Sequence, residues 1–186
     1  MKRRSLLTLS AGLLAGSLTV SGLAVADAKD YVLNTASTGG TYHPVGTAIA
    51  TLSKVKLLPK QKFSLTAVNS AGSGANVQAM GAGTADFAIL QGLYGSYAAT
   101  GTGPISDPQK NLRSVTMLWQ NVEQFVVANS AVKTGTVADM LALKGQGAGM
   151  GAKNSGTLGS NKVLMSGLGI DIESDFSLIY GGYGPT

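Results

Sequence analysis

The chain has 186 residues, with 14 Lys and Arg, 9 Asp and Glu, one His and no Cys, for a formal charge of +5. Without cysteine there is neither a disulfide framework nor a thiolate metal site, so stability has to come from a packed core. Three of the basic residues are Lys2, Arg3 and Arg4, and the 11 that follow against 9 acidic groups leave about +2, which argues for neither nucleic acid nor a membrane surface as partner.

Met1-Lys2-Arg3-Arg4, the uncharged apolar run Leu6 to Val25 and the small residues of Ala24-Val25-Ala26 have the organisation of a signal peptide over residues 1–26. A membrane anchor would need about 20 apolar residues, which the length almost permits. The glycines, serines and threonines in the run and the Ala-Val-Ala site favour cleavage before Asp27. No Cys follows, so a lipid anchor is excluded, and the expected location is the periplasm.

Beyond that segment, short apolar runs alternate with helical stretches. Residues 31–36 read as a strand, Ser37-Thr38-Gly39-Gly40-Thr41 as a turn, and 42–54 as a helix with Pro44 in its first turn. A second unit repeats the plan with a strand over 63–68, a Gly/Ser turn over 69–75 and a short helix over 76–81. Residues 86–90 form a third, nearly all-apolar strand that ends at Gln91-Gly92. After a loop over 101–111, residues 115–119 and 124–128 read as two further strands. Thr136 then caps a helix, with Asp139 three residues on and Lys144-Gly145 at its end. A glycine-rich strand over 146–151, a helix opened by Asn154-Ser155-Gly156-Thr157 and a strand over 176–180 follow. Strand, turn, helix, strand is the grammar of a parallel α/β sheet. A last parallel strand with nothing after it leaves one edge and one face uncovered, so the second unit is expected to be incomplete.

The residue types exclude several chemistries. One His, no Cys and no H-E-x-x-H spacing leave no metal site, and the expected cofactor complement is none. No G-x-S-x-G occurs, and His43 precedes Pro44 in a turn without a carboxylate to orient it, so no nucleophilic site is expected. The run from Gly145 to Gly151 lies on a strand and lacks both nucleotide-loop patterns. What remains are three corners at the carboxyl ends of strands: Ser37 to Tyr42, Asn69 to Asn76, and Asn154 to Thr157. Each sets hydroxyls and unencumbered backbone N–H groups at a helix N-terminus, which can hold a carboxylate or phosphate without Arg or Lys. The same residue types are also what N-caps and βα turns prefer for purely structural reasons.

Thr38-Gly39-Gly40-Thr41-Tyr42-His43-Pro44-Val45-Gly46, Ser73-Gly74-Ala75-Asn76, the stretch Gly81 to Gln91, Leu112 to Val115, Val137 to Met140, Lys144-Gly145 and Asn154 to Thr157 follow one another in a familiar order and spacing. In these the chain resembles the TAXI family of TRAP-transporter solute receptors, over nearly all of its length after residue 26. The resemblance implies an α/β type II periplasmic binding protein with two lobes, each on a parallel-rich sheet. Residues 27–125 would form the first lobe and 126–186 part of the second. Such a receptor is a monomer that performs no chemistry, closes on a small ligand, an amino acid or carboxylate, and delivers it to integral-membrane TRAP permease subunits. Carried over by position, Thr38, Gly39, Gly40, Thr41, Tyr42, Ser73, Gly74, Asn76 and Gln91 would line the cleft from the first lobe, faced by Ser155, Gly156 and Thr157. The chain departs from the family at His43, which replaces a second aromatic after the tyrosine, and in the turn around Ala75-Asn76.

The remaining polar and aromatic residues have plainer readings. Arg113, the one arginine outside the leader, reads as a structural charge before it reads as a carboxylate clamp. Trp119 and Phe125 read as core or hinge residues, Glu123 as a hinge salt bridge, and Lys54, Lys56, Lys60 and Lys62 as a solvated cluster. Two other functions fit the same fold class: an extracytoplasmic sensing domain, and an exported α/β hydrolase whose catalytic groups lie elsewhere.

Overall fold

The computed structural model describes residues 27–183, so the signal-peptide reading of 1–26 lies outside the described residues. Strand β1 (Lys29–Asn34) is the centre of a three-stranded sheet, flanked by β2 (Phe63–Val68) and β3 (Phe87–Ala88), and both pairings are parallel. Helix α1 (Tyr42–Leu52) makes the crossover and packs over β2. Leu33, Ala50, Leu65 and Ile89 form the core between helix and sheet. On the strands, Tyr31, Phe63 and Phe87 stack tilted and edge-on with centroids 5.0 to 6.1 Å apart. Gly46 lets α1 approach β1, because a Cβ there would run into the Thr35 methyl group.

The helix expected to stop near Lys54 continues. A π-helical stretch, Ser53–Leu57, carries it into α2 (Leu58–Gln61), with Pro59 in the first turn of α2. Proline has no N–H to give the preceding turn, and the backbone widens where that bond is missing. The buried Ser53 hydroxyl donates to the Ala50 carbonyl and accepts from Leu65 N–H, tying the stretch to β2. Lys62 ends it in the left-handed region, at φ 55°. Its Lys neighbours are exposed as expected, Lys54 donating to the Thr66 hydroxyl.

Helix α3 (Ser73–Gly81) starts three residues earlier than the sequence suggests, because Gly72 at φ 115° makes the turn into it. Helix α4 (Gly92–Thr100) was not anticipated; two glycines and small side chains hide it, and it is held by buried Tyr94 and Ala98. The two strands read over 115–119 and 124–128 do not form. The backbone there pairs with no strand among the described residues, and Val115, Met117, Val122 and Val126 are 76 to 92% exposed. An alternating apolar pattern makes a strand only where a neighbour accepts its hydrogen bonds, and β3 offers a two-residue edge.

The second half builds a smaller parallel pair from β4 (Gly147–Gly149) and β5 (Ser177–Ile179), with α5 (Gly156–Ser166) and α6 (Ile172–Asp175) between them in sequence. Met140, Met150, Leu158, Met165, Ile170, Ile172 and Phe176 are its core, onto which Phe125 and Val127 pack. Every strand pair among the described residues is parallel, in a mixed α/β architecture. No helix among them is long and apolar enough to cross a membrane.

The helix expected after Thr136 is a 3₁₀ helix, Val137–Leu143, whose first turn Thr136 caps by accepting from Ala138 N–H. Asp139 does not reach back to Thr136 as a capping box would. It accepts from the backbone N–H groups of Lys133, Thr134 and Gly135 and from the Thr134 hydroxyl. The Thr134 hydroxyl and those amides hold its carboxyl down at a pKa of about 2, from 3.8. A depressed folded-state pKa means that the stabilisation is complete above the unfolded-state value and is lost as pH falls through the folded one. Acid titration of the melting temperature is therefore expected to fall between about pH 4 and pH 2, and Asp139→Asn should flatten that limb. An unchanged limb in the variant would remove Asp139 from the account.

Candidate functional site

The carboxyl ends of β1 and β3 are stapled by one side chain. Asn76 is fully buried, and its Nδ2 donates to the Thr35 carbonyl at 2.7 Å and the Ile89 carbonyl at 2.9 Å. Its Oδ1 has no hydrogen-bond partner among the described residues. Ser73, at the start of α3 and likewise buried, accepts from Gln91 N–H at 2.9 Å, so the first turn of α3 is locked to the end of the third strand. The Thr35 hydroxyl gives its one proton to the Val68 carbonyl at 2.8 Å, so His43 Nδ1, 3.0 Å away, is the donor of their shared bond. The chain's one histidine is thus tied to a strand end.

Against this edge lies the start of α5. Ala75 N–H donates to the Asn154 carbonyl at 3.1 Å, and a Cβ on Gly74 would stand 2.7 Å from that same oxygen. Gly72 faces Ser155, and a Cβ on Gly156 would meet the Ser73 hydroxyl oxygen at 2.7 Å and Gln91 Oε1 at 2.8 Å. Gln91 Oε1 is buried without a partner among the described residues, while its Nε2 donates to Glu123 at 3.1 Å. Ser155 is the N-cap of α5, accepting from Leu158 N–H. Ser73, Gly74, Asn76, Gln91, Ser155 and Gly156 are therefore brought together in one seam, where glycines allow two backbones to touch.

Of the other half of the sequence-derived set, Thr38 to Tyr42 belong to the turn into α1 and its first residue, and Thr157 to the first turn of α5. Thr38, Gly39 and Thr41 are exposed, and Thr41 sits at the head of α1 without a side-chain cap bond. Tyr42 packs edge-on against Trp119 at 5.5 Å, and Asn121 Nδ2 donates to its hydroxyl. Burial pushes the Tyr42 phenol above its ordinary range, against hydrogen bonds with Asn121 and Ser73 that pull it down. Tyr183, which the sequence reading missed, crosses from the second half onto Gly39 and Gly40. Its carbonyl abuts Gly39, a ring carbon lies 2.8 Å from where a Cβ on Gly40 would be, and its hydroxyl is within hydrogen-bond distance of the Thr157 hydroxyl.

Of the remaining expectations, the one for Glu123 is corrected. Glu123 makes no salt bridge; it accepts from Gln91, because no cation stands within reach among the described residues. Arg113 is exposed and caps the carbonyls of Lys110 and Leu112, far along the chain from any seam residue. Trp119 packs against the first core and Phe125 against the second, as core residues at the crossing. Two surface hollows of about 310 and 380 Å³, lined respectively by Ile49, Leu52 and Leu65 and by Val77, Pro104 and Gln109 among others, contain none of the candidate residues. No group of three His, Cys, Asp or Glu that could hold a metal occurs among the described residues.

The seam is thus built of backbone, hydroxyls and amides at the carboxyl edge of a parallel sheet, which is where open α/β sheets bind small molecules. The sequence model of the NMT1-like family matches residues 33–186, nearly the whole of the described chain. The chain belongs to the NMT1-like family. This is a family of periplasmic solute-binding proteins, and the mixed α/β architecture with parallel strands is consistent with its binding-protein type of fold. A solute-binding role, with a small molecule as partner, follows from membership.

Proposed function

We propose that the chain is the solute receptor of a TRAP-type transporter of the TAXI group, capturing a small organic acid or amino acid for the membrane permease. The observation that carries this reading is the convergence of two glycine and hydroxyl corners, Ser73-Gly74 and Ser155-Gly156, on one seam. In this reading residues 27–125 and 126–186 belong to two lobes of a type II binding protein, which a leader over 1–26 exports. The solute is held by Thr38, Gly39, Gly40, Thr41, Tyr42 and Thr157 at the heads of α1 and α5 and by Ser73, Gly74, Asn76, Gln91, Ser155 and Gly156 along the seam. Binding shifts the lobes toward closure, which the permease senses.

A thermal-shift screen of the chain from Asp27 against amino acids, dicarboxylates and short organic acids tests the reading, since a ligand of the native state raises the melting temperature. No shift with any of these classes would refute it. Two substitutions separate binding from folding. Thr41→Ala removes an exposed hydroxyl without a cap bond, so stability should change by less than about 0.5 kcal/mol while affinity falls. Ser155→Ala removes an N-cap and should cost about 1 kcal/mol even without solute. Unchanged affinity in both variants would put the solute elsewhere.

A further inference from the structure

Tyr183 touches three of the residues assigned to solute, two of them with its phenol. Its main chain covers Gly39, its ring covers Gly40, and its hydroxyl meets Thr157. The side chain is 57% exposed, so burial alone does not account for its place. Three glycines make the fit possible: a Cβ on Gly40 would stand 2.8 Å from ring carbon Cδ2, a Cβ on Gly182 would stand 2.8 Å from the Ser37 Cβ, and Gly39 has no room for one. The ring thus lies along glycine backbone at Gly40, in a shallow slot with the Thr157 hydroxyl at its far end. Tyr42, two residues on from Gly40, packs edge-on against Trp119. Glycine backbone without side chains suits a planar ring better than a branched or flexible chain, and a hydroxyl at the end suits a polar substituent on that ring.

We infer that this slot takes a planar aromatic acid, a ring carrying a hydroxyl or carboxyl group, and that Tyr183 occupies it as a built-in surrogate which the solute displaces. The inference rests on the solute-receptor reading and names its substrate class. A side chain tethered in the site competes with every solute for it, so the measured affinity is the intrinsic one reduced by the fraction of time the slot is vacant. Removing the side chain should therefore tighten binding of ring-bearing solutes, the reverse of what losing a binding residue does.

The test is calorimetric titration of the wild-type chain and of Tyr183→Ala with 4-hydroxybenzoate and L-tyrosine as ring probes, and with succinate and L-glutamate as chain probes. The expected result is binding of at least one ring probe, tightened about tenfold or more by Tyr183→Ala. Gly40→Val, which puts a side chain into the slot, should abolish that binding, with thermal melting of each variant showing that it is folded. Ring probes bound equally by wild type and Tyr183→Ala, or more weakly by the variant, overturn the surrogate role. Binding of succinate or glutamate with no binding of either ring probe overturns the aromatic class and leaves the receptor reading standing. Binding of none of the four by either protein overturns the aromatic class. The receptor reading falls with it only if the broader thermal-shift screen is also blank.

Discussion

Asn76→Ala is expected to lower stability by about 2–5 kcal/mol, because it strips the buried carbonyls of Thr35 and Ile89 of a donor at once. Each buried acceptor left without a partner costs about 1–3 kcal/mol, and the missing amide leaves a void that neighbouring backbone cannot fill. Thr35 O retains a bond from the Ser70 hydroxyl at 3.1 Å, which sets the lower end of the range. Asn76→Asp is the sharper comparison. It keeps the shape but replaces the amide nitrogen, with its two donors, by one carboxylate oxygen that faces two carbonyls, so it should be at least as damaging at neutral pH. Urea unfolding of the three proteins decides the point. A loss below about 1 kcal/mol for Asn76→Ala would mean that the strand ends are held by the sheet ladder and that the side chain is free to serve a ligand.

The same residue shows how far the sequence could be read. Asn76 stands out in the sequence because Ser, Asn and Gly crowd a βα turn, and that residue chemistry has two uses, capping and binding, which composition does not separate. The structure spends the Asn76 amide and the Ser73 hydroxyl on strand ends, yet Asn76 Oδ1 and Gln91 Oε1 find no partner in the seam among the described residues. The first two strands and the first helix were legible because apolar runs with clear turn chemistry bound them, and β4, α5 and β5 were legible for the same reason. Helix α4 was not, since Gly92 and Gly95 carry no helical signal and its hold on the fold comes from Tyr94 and Ala98 packing. Residues 115–128 misled in the opposite direction. Val115, Met117 and Trp119 alternate as a strand does, but strand formation depends on a neighbouring ladder that no local pattern records. Tyr183 was invisible for a related reason: its contacts with Gly39 and Gly40 span more than a hundred residues of sequence.

The contact between the two halves can be broken at one atom. A Cβ on Gly74 would stand 2.7 Å from the Asn154 carbonyl oxygen and 3.0 Å from a carbon of the Tyr94 ring, and the first of these is backbone that cannot rotate away. Gly74→Val is therefore expected to push α3 off the start of α5, break the bond from Ala75 N–H to Asn154 and cost about 3 kcal/mol or more by overpacking. Gly159 opposes the same ring from α5, since a Cβ there would lie 2.5 Å from Tyr94 Cε2, so Tyr94 is gripped between two glycines and has nowhere to yield. Tyr94→Leu should for that reason restore part of the stability lost in Gly74→Val, which a double-mutant cycle measures directly. Additive losses would mean that Asn154 alone sets the distance between the helices. Partial rescue would mean that the ring does, and that the seam is a packed joint whose spacing, and with it the room left for a solute, is tuned through Tyr94.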